Sequence, residues 1–415
     1  MACAVVMIAR AQDAPIASER PLELSDVIRE ARANRGEIAA ARARAEALAE
    51  RPAIVGALED PMISPSVDHY PFRMMDEEGG RRYDWSIAVE QRFPLSGVRA
   101  QRRRVAHADA ARATALSETI LLDVVLDVQQ AFFMLRERRR MATVLEQQLQ
   151  LGRELVAAAA ARYAGGTGVQ ADVLRAEVET ARIEAALRSL AAQTRAAEAM
   201  LNASMGRATG TPIGELEFSA TDQALPPVER LQESATRMRP ELRAGAAEVE
   251  RSAAEIDVMR SMYRPMATVR AGRASTMAEG PGAMLMIGVS VPLWRGSLRA
   301  GVSEARAMER MANADLLAMQ RMIEGEIASA RAEVESTRET RRSLEAEIIP
   351  RAQMAVDAAL AAYGAGQSTL VSVVEASRAL WEARSELVMA ETTASTAWAR
   401  LERAAGENTS RPGAP

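Results

Sequence analysis

The chain has 415 residues, a formal charge of −4 from 52 basic and 56 acidic side chains, and only 3% aromatic residues. Every basic residue is arginine, and alanine, arginine and glutamate dominate, which favours long helices. The small net charge argues against nucleic-acid binding. One cysteine, Cys3, and two histidines, His69 and His107, nearly exclude zinc clusters and cysteine or histidine catalysis. We therefore expect neither an enzyme nor a cofactor.

Residues 1–11 resemble the end of a secretory signal peptide. The apolar run closes on Ala9-Arg10-Ala11, which has the form of a cleavage site, although the usual basic segment before such a run is missing. Cleavage after Ala11 would leave a mature chain without cysteine, which suits an oxidising periplasm. A frayed cytosolic N-terminus is the alternative interpretation.

Helical spacing of apolar and small residues predicts a helix over 25–55, with Ser25 as its N-cap. A much longer helix is predicted over 97–163, and at about 1.5 Å per residue it would reach roughly 100 Å. After a glycine-rich corner the helical pattern returns to Gly206. The first half, 12–206, therefore contains an antiparallel helical hairpin, and residues 207–227 form a linker rich in glycine and proline.

The second half, 228–406, repeats this order, with helices predicted over 228–262, 298–363 and 369–405 and a disordered tail at 407–415. Landmarks recur at nearly constant offsets: Pro61 and Pro265 are 204 residues apart, and the two corners are 200 apart. Without a gap, nine of the 44 positions in 163–206 and 363–406 are identical. The ordered series of landmarks indicates an internal duplication.

Each half also contains a predicted β-hairpin, at about 62–93 and 266–293. In "YDWSIAVEQRF" (83–93) and "AMLMIGVSVPL" (283–293) the odd positions are apolar, with Gln91 as the exception, so each is a strand with one apolar face. Their partners, 62–70 and 266–273, alternate less cleanly. We assign them mainly because each strong strand needs a hairpin mate.

Strands of this length with one apolar face have the dimensions of outer-membrane barrel strands. Four strands cannot close a barrel, and lipid tolerates no open sheet edge, because unpaired backbone groups there are costly. Three chains would supply twelve strands. The predicted fold is therefore mainly α with a membrane β-barrel portion, closing as a trimeric 12-stranded barrel on a helical barrel.

The order helix, strand, strand, helix, helix in both halves, the Tyr-x-x-Gly corners and the sequence "VEQRFPLSGVRAQRR" beginning at Val89 resemble the TolC family of outer-membrane efflux proteins, in its heavy-metal (CzcC/CusC-like) branch. The resemblance covers about 22–406. It implies a homotrimeric duct in the outer membrane of a Gram-negative bacterium, with its helical barrel in the periplasm. The implied partners are outer-membrane lipid, a periplasmic adaptor (membrane fusion) protein and an inner-membrane RND pump.

The resemblance also implies roles for the two corners. The tips "YAGGTGVQADVL" and "YGAGQSTLVSVV" would dock the adaptor, and the residues in question are Tyr163, Gly166, Gly168, Tyr363 and Gly366. From the residues themselves, we expect Gly166 and Gly366 to supply positive φ for a tight reversal.

Acidic residues just after the second corner narrow the periplasmic mouth in this family. The matching positions are Ser372 and Glu375, and Ser372 departs from the usual acid. We therefore expect a gate ring of Glu375, supplemented by Asp172 of the first hairpin. Arg175 occupies the position that matches Glu375, so a salt bridge between neighbouring hairpins is possible; independent solvated charges are the alternative.

Twenty-two methionines raise the question of a soft-metal path. Met284 and Met286 are weak candidates for ligands, on the strand face opposite the apolar one. The alternative is that methionine fills gaps in place of leucine.

The sequence is thus interpreted as the exit duct of a tripartite efflux system that exports heavy-metal cations, such as copper and silver or cobalt, zinc and cadmium. A channel for drugs, small organic molecules or type I secretion is an alternative. A soluble periplasmic coiled-coil scaffold would leave the apolar strands unexplained, and an adaptor protein would need flanking lipoyl-like β segments, which we do not find.

Overall fold

The computed structural model describes residues 21–68, 83–218, 224–276 and 279–406. The predicted signal segment, the first strand's end at 69–70, the loop after it and the predicted tail lie outside these residues. The chain divides into two compact units. Unit 1 comprises Met1–Gly36, Leu121–Ala235 and Glu326–Pro415, and unit 2 comprises Glu37–Ile120 and Thr236–Gly325.

Helices dominate the described residues. They are α1 (Leu24–Asn34), α2 (Gly36–Ala49), α3 (Arg51–Gly56), α4 (Val98–Ala164), α5 (Gln170–Met205), α6 (Val228–Met238), α7 (Pro240–Ser261), α8 (Arg295–Ser343), α9 (Ile349–Gly364) and α10 (Leu370–Ala405). The long helical hairpins expected from the sequence are confirmed, and α5 and α10 both end at a glycine of positive φ, Gly206 and Gly406. Among the described residues, none of the helices combines the length and apolar character that crossing a membrane requires.

The first predicted helix of each half is divided into two or three shorter helices, which the sequence pattern did not predict. The helix expected at 25–55 is α1, α2 and α3, and the helix expected at 228–262 is α6 and α7. The two halves break at equivalent points, because Arg35 and Arg239, 204 residues apart, both leave the helix with extended backbone (ψ 119° and 116°). At Arg239 the cause is the following proline, which disfavours helical geometry in the residue before it.

The N-cap of α1 is Glu23, and the prediction of Ser25 was wrong. Leu22 and Glu23 form β1, which pairs in parallel with β4 (Leu216–Glu217). This pairing holds the backbone extended up to Glu23, so the helix begins one residue later. The side chain of Ser25 donates to Glu23 Oε2 at 3.2 Å.

A π-helical turn, Leu344–Ile348, joins α8 to α9 within the helix predicted at 298–363. Pro350 follows at the start of α9. Proline lacks the backbone N–H that an α-helix would use there, and a π turn rearranges the hydrogen bonds before it. The rest of the predicted span is helical.

Unit 2 contains a four-stranded antiparallel sheet in the order β2-β3-β5-β6. Its strands are β2 (Met62–Asp68), β3 (Asp84–Pro94), β5 (Met266–Thr276) and β6 (Gly280–Ser290), which confirms the four predicted strands. The two hairpins meet through β3 and β5, with Val89 opposite Ala271. Gly272 allows this close approach, since a Cβ there would lie 2.2 Å from the carbonyl oxygen of Ile87.

The register places the odd-numbered residues of all four strands on one face, because directly opposed residues share a face. This face is mostly apolar, with Gln91 and Arg273 as its large polar exceptions. Its exposed large apolar side chains in the single chain are Ile63, Val67, Ile87, Val89, Phe93, Leu285, Ile287 and Val289. The even face carries mainly polar or small side chains, together with Met62, Met266, Met284 and Met286; on this face Ser66 Oγ and Ser86 Oγ are 2.7 Å apart. With these exceptions, the alternation expected for β3 and β6 is also present in β2 and β5.

Candidate functional site at the two helix tips

The first tip, between α4 and α5, reverses through a Schellman turn. The N–H of Gly166 donates to Tyr163 O at 3.0 Å, and the N–H of Thr167 donates to Arg162 O at 2.9 Å. Gly166 has φ 69°, where a side chain would be strained. Gly168 has a different constraint, because a Cβ there would lie 3.0 Å from Arg162 Cβ.

The second tip, between α9 and α10, has the same backbone. The N–H of Gly366 donates to Tyr363 O at 3.0 Å, and the N–H of Gln367 donates to Ala362 O at 2.8 Å. Gly366 has φ 75°. Positive φ was expected at Gly166 and Gly366, and both tips have it.

The side chains at the two tips differ strongly. Tyr163 is 50% exposed, whereas Tyr363, at the same position of its own corner, is 5% exposed. Tyr363 belongs to a buried cluster that joins the two hairpins, together with Leu155, Ala176, Leu370 and Val373. Tyr163 therefore lies on the surface of the chain, and Tyr363 is part of its interior.

Arg162 links the first tip to the second. Its guanidinium donates to the carbonyl oxygen of Tyr363 and lies 4.6 Å from the centre of the Tyr363 ring. A second nitrogen donates to Thr167 O at 3.4 Å. Burial and the charge of Asp172 raise the pKa of Tyr363, and Arg162 opposes this shift. The guanidinium and the ring form a cation–π contact, an arrangement worth about 0.5–2 kcal/mol.

A second link lies beyond the tips, where Arg378 of α10 forms an ion pair with Glu179 of α5. Arg182 also contacts Glu179, at 3.1 Å. The hydrogen bond from Arg378 lowers the pKa of Glu179, and the same bond raises the pKa of Arg378. Further along the helices, the two hairpins are also joined by the ion pairs Arg140–Glu391 and Arg403–Asp123 and by a hydrogen bond from Arg384 to Gln147.

The four gate candidates lie in the first two turns of the return helices α5 and α10. Asp172 is half-buried in the first turn of α5, where the helix dipole favours a negative charge. Arg175, Ser372 and Glu375 are exposed. Among the residues that the structure describes, Arg175 and Glu375 form no ion pair with each other; the ion pair between their two helices is Glu179–Arg378.

Sequence reasoning missed Arg162, Glu179 and Arg378. A signal for them was present in the repeat, because the residues 200 positions away are Ala362, Ala379 and Val178. Where a charged residue in one hairpin matches an uncharged residue 200 positions away in the other, the two hairpins have different surroundings at that position.

The methionine candidates lie in unit 2. Met284 and Met286 are on the even face of β6, opposite Gly272 and Arg270 of β5. Within the described residues, no group of three or more His, Cys, Asp or Glu side chains could hold a metal ion. The two methionines remain a prediction.

Comparison with known proteins identifies the family. A family model described as "Outer membrane efflux protein" matches residues 27–207 and again residues 231–407. The chain belongs to the outer membrane efflux protein family. It is 28% identical over 303 residues to the cobalt-zinc-cadmium resistance protein CzcC of Cupriavidus metallidurans, a match that covers 70% of this chain and 69% of that relative.

Two solved structures have the same fold as this chain. The outer-membrane channel OprN superposes with a TM-score of 0.80 at 18% identity, covering 98% of this chain and 97% of OprN. CusC, whose structures concern transmembrane channel formation, gives a TM-score of 0.80 at 14% identity, over 93% of this chain and 92% of CusC. The resemblance to the TolC family is confirmed. This protein is an outer-membrane efflux channel.

Proposed function

We propose that this efflux channel works as a homotrimer, as the exit duct of a tripartite system with a periplasmic adaptor and an inner-membrane RND pump. The supporting observation is the four-stranded sheet. One of its faces is mostly apolar and exposed, and its outer strands, β2 and β6, each pair on one side only among the described residues. Lipid tolerates no such open edges. Three copies would supply twelve strands, enough to close a barrel.

We propose heavy-metal cations as the cargo. The support is the similarity to CzcC, which is named for resistance to cobalt, zinc and cadmium. Soft-metal ligation by Met284 and Met286 is not required for this role, because an exit duct can pass a cation that an upstream pump has selected.

Membrane fractionation with unboiled and boiled gels tests location and assembly. We expect a band of trimer mass in the outer-membrane fraction, which falls to monomer mass after boiling. Deleting the gene for this channel should raise the cellular content of cobalt, zinc and cadmium, and restoring the gene should reverse the rise. Soluble monomer would contradict the channel assembly, whereas normal metal levels with increased retention of organic dyes would contradict the metal cargo.

We also propose that Glu375, supplemented by Asp172, narrows the periplasmic mouth. The support is their position close to the tips, on exposed or half-buried faces of α10 and α5. The double substitution Asp172→Ala/Glu375→Ala should raise single-channel conductance and leakage of large antibiotics. Glu382→Ala, which removes an exposed acid further along α10, is the matched control. Unchanged conductance in the double variant would contradict the gate.

Docking of the adaptor at the two tips, including Tyr163, Gly168 and Gly366, remains part of this proposal.

A further inference from the structure

Four methionines of α8 lie on one side of the helix, around an aspartate. The sequence from Met308 reads "MERMANADLLAMQRM", in which the methionines and Asp315 recur at intervals of three, four, four and three residues. Residues three or four apart on a helix are neighbours on one face, with Cβ atoms about 5–6 Å apart. The five side chains therefore form a row about 21 Å long. We call it the methionine stripe, and its members are Met308, Met311, Asp315, Met319 and Met322.

The methionines of the stripe do not fill the interior of the chain. Met308, Met311 and Met322 are 46%, 53% and 68% exposed, and Met319 is half-buried. A methionine that does fill the interior is Met205, at the end of α5, which is completely buried. Methionine often replaces leucine in a core because its flexible side chain fills gaps. That role does not account for side chains that lie on the surface.

Asp315, at the centre of the stripe, has no arginine within reach on its own helix. Two methionines and two alanines occupy the positions three and four residues away from it. Other acids of α8 pair within the helix, as Glu324 does with Arg321 and Glu335 with Arg331. Within the described part of the chain, the carboxylate of Asp315 forms no ion pair. Its charge is therefore available to a cation that the neighbouring sulfur atoms also contact.

The first half of the chain has no such stripe. Landmarks of the two halves are 198 residues apart at Pro94 and Pro292 and 200 apart at the tips, so the matching stretch of α4 is about 108–124. This stretch contains no methionine. Because α4 and α8 are corresponding helices of the two halves, the helical fold does not itself require methionine at these positions.

The side chains of the stripe suit a soft monovalent cation. Thioether sulfur is an uncharged, soft ligand of the kind that selects Cu(I), and Ag(I) has the same charge and similar softness. Zinc and cobalt favour imidazole, carboxylate and thiolate ligands instead. Met308, Met311 and Asp315 offer two sulfur atoms and one carboxylate on consecutive turns, and the single negative charge neutralises one monovalent cation. Met319 and Met322 complete a second set of the same kind around the same carboxylate.

We propose that the methionine stripe of α8 binds a soft monovalent cation, Cu(I) or Ag(I). The inference deepens the proposed metal cargo, on which it rests, because it names a class of ion that the chain itself holds. The site is separate from Met284 and Met286, which lie on the strand β6. All of its members belong to unit 2, so binding does not depend on assembly of the trimer.

Silver binding to the purified full-length channel tests the site. Cys3→Ser serves as the parent, because it removes the thiol that would compete for silver. The stripe variant carries Met308→Leu, Met311→Leu, Met319→Leu and Met322→Leu, which keep the apolar volume and remove the sulfur atoms. In calorimetric titrations with Ag(I) in chloride-free buffer, we expect the parent to bind silver and the stripe variant to lose this binding. An excess of Zn(II) should not displace the silver.

A matched control removes the same number of exposed thioethers from other helices. It carries Met134→Leu, Met200→Leu, Met354→Leu and Met389→Leu, at residues that are 48%, 63%, 62% and 45% exposed. These methionines lie on α4, α5, α9 and α10, so they do not adjoin one another, and the control should bind silver as the parent does. Equal silver binding by the parent and the stripe variant would overturn the proposal. Equal losses in the stripe variant and the control would overturn it too.

The charge of Asp315 is tested separately. Asp315→Asn keeps the shape of the side chain and removes one charge about 6 Å from the cation, which should weaken silver binding about threefold in water. The same titration measures this change. An unchanged affinity would overturn the part of the proposal that assigns the carboxylate to the site.

Peroxide oxidation shows which methionines hold the metal. Peroxide converts exposed thioethers to sulfoxides, and peptide mass spectrometry follows each one. Silver should slow oxidation of the four stripe methionines and leave Met354 unaffected. Protection of the stripe before silver is added would overturn the proposal, because another surface would then cover these side chains in the assembled protein. Soluble monomer on unboiled gels would contradict the proposed channel, whereas the silver measurements would still decide the site.

Discussion

The two tips of this chain have the same backbone and different side-chain surroundings. Both reverse through a glycine of positive φ with the same pair of turn hydrogen bonds. Yet Tyr363 is enclosed beneath Arg162, whereas Tyr163 lies open on the surface. The repeat has thus preserved the turn and altered the contacts. The turn is a requirement of every hairpin, and the contacts depend on which neighbour each hairpin meets.

The largest expected difference between the tips comes from their tyrosines. Tyr363→Ala should lower the local opening free energy of the second tip by about 3 kcal/mol, because it leaves a cavity in the buried cluster. Tyr163→Ala should lower that of the first tip by less than about 1 kcal/mol, since half of this residue is exposed to solvent in the chain. Hydrogen exchange of the tip amides measures both values.

Tyr363→Phe separates packing from the hydroxyl group. It keeps the ring beneath Arg162 and should cost less than about 1 kcal/mol. Equal losses for Tyr363→Ala and Tyr163→Ala would mean that both rings are buried to the same extent in the assembled protein. The contrast between the tips would then be a property of the single chain alone.

The shared turn predicts equal effects at the two glycines. Gly166→Ala and Gly366→Ala should each destabilise their tip by about 1–2 kcal/mol, because each forces a side chain into left-handed backbone. Gly364→Ala is the control, since this residue ends α9 without positive φ and a Cβ there meets nothing within 4 Å. Hydrogen exchange at both tips gives the comparison. If Gly366→Ala left the hydrogen exchange of the second tip unchanged, this tip would be able to form a turn that does not require positive φ.

The parts of the fold that the sequence predicted depend on local, repeated patterns. Helical spacing located α4, α5 and α10 to within a few residues, and alternation located β3 and β6. The divisions at Arg35 and Arg239 were missed, because spacing of apolar residues continues through a break that changes only a backbone angle. The β1–β4 pairing was missed because two-residue strands have no readable pattern and their partners are far apart in the chain.

The same distinction applies to the candidate site, where local features could be predicted and contacts between distant residues could not. Positive φ at Gly166 and Gly366 could be predicted because the requirement is local to the turn. The burial of Tyr363 and the link to Arg162 could not, because they arise where residues 201 positions apart meet. The Tyr-x-x-Gly pattern that the two corners share does not reveal which tyrosine is covered. That information lies in the neighbouring hairpin.

The smallest expected effect concerns the ion pair Glu179–Arg378. In the folded protein the pKa of Glu179 lies below its ordinary value. The ion pair therefore stabilises the folded state at pH values above the ordinary carboxylate range, and this stabilisation is lost as the pH falls through the lowered pKa. A double-mutant cycle with Glu179→Gln and Arg378→Ala, followed by thermal melting of the trimer, isolates the coupling. Partly exposed pairs contribute about 0.2–1 kcal/mol, which we expect at neutral pH and at pH values just below it.

Strong acid should remove this coupling, while the Gly166 and Gly366 turns keep their contribution because they contain no titrating group. Arg182→Ala is the control for the second cation near Glu179 and should change the coupling less, since its own pair with Glu179 lies within one helix. A coupling that persists unchanged below the carboxylate range would mean that packing joins the two hairpins and that the charges do not.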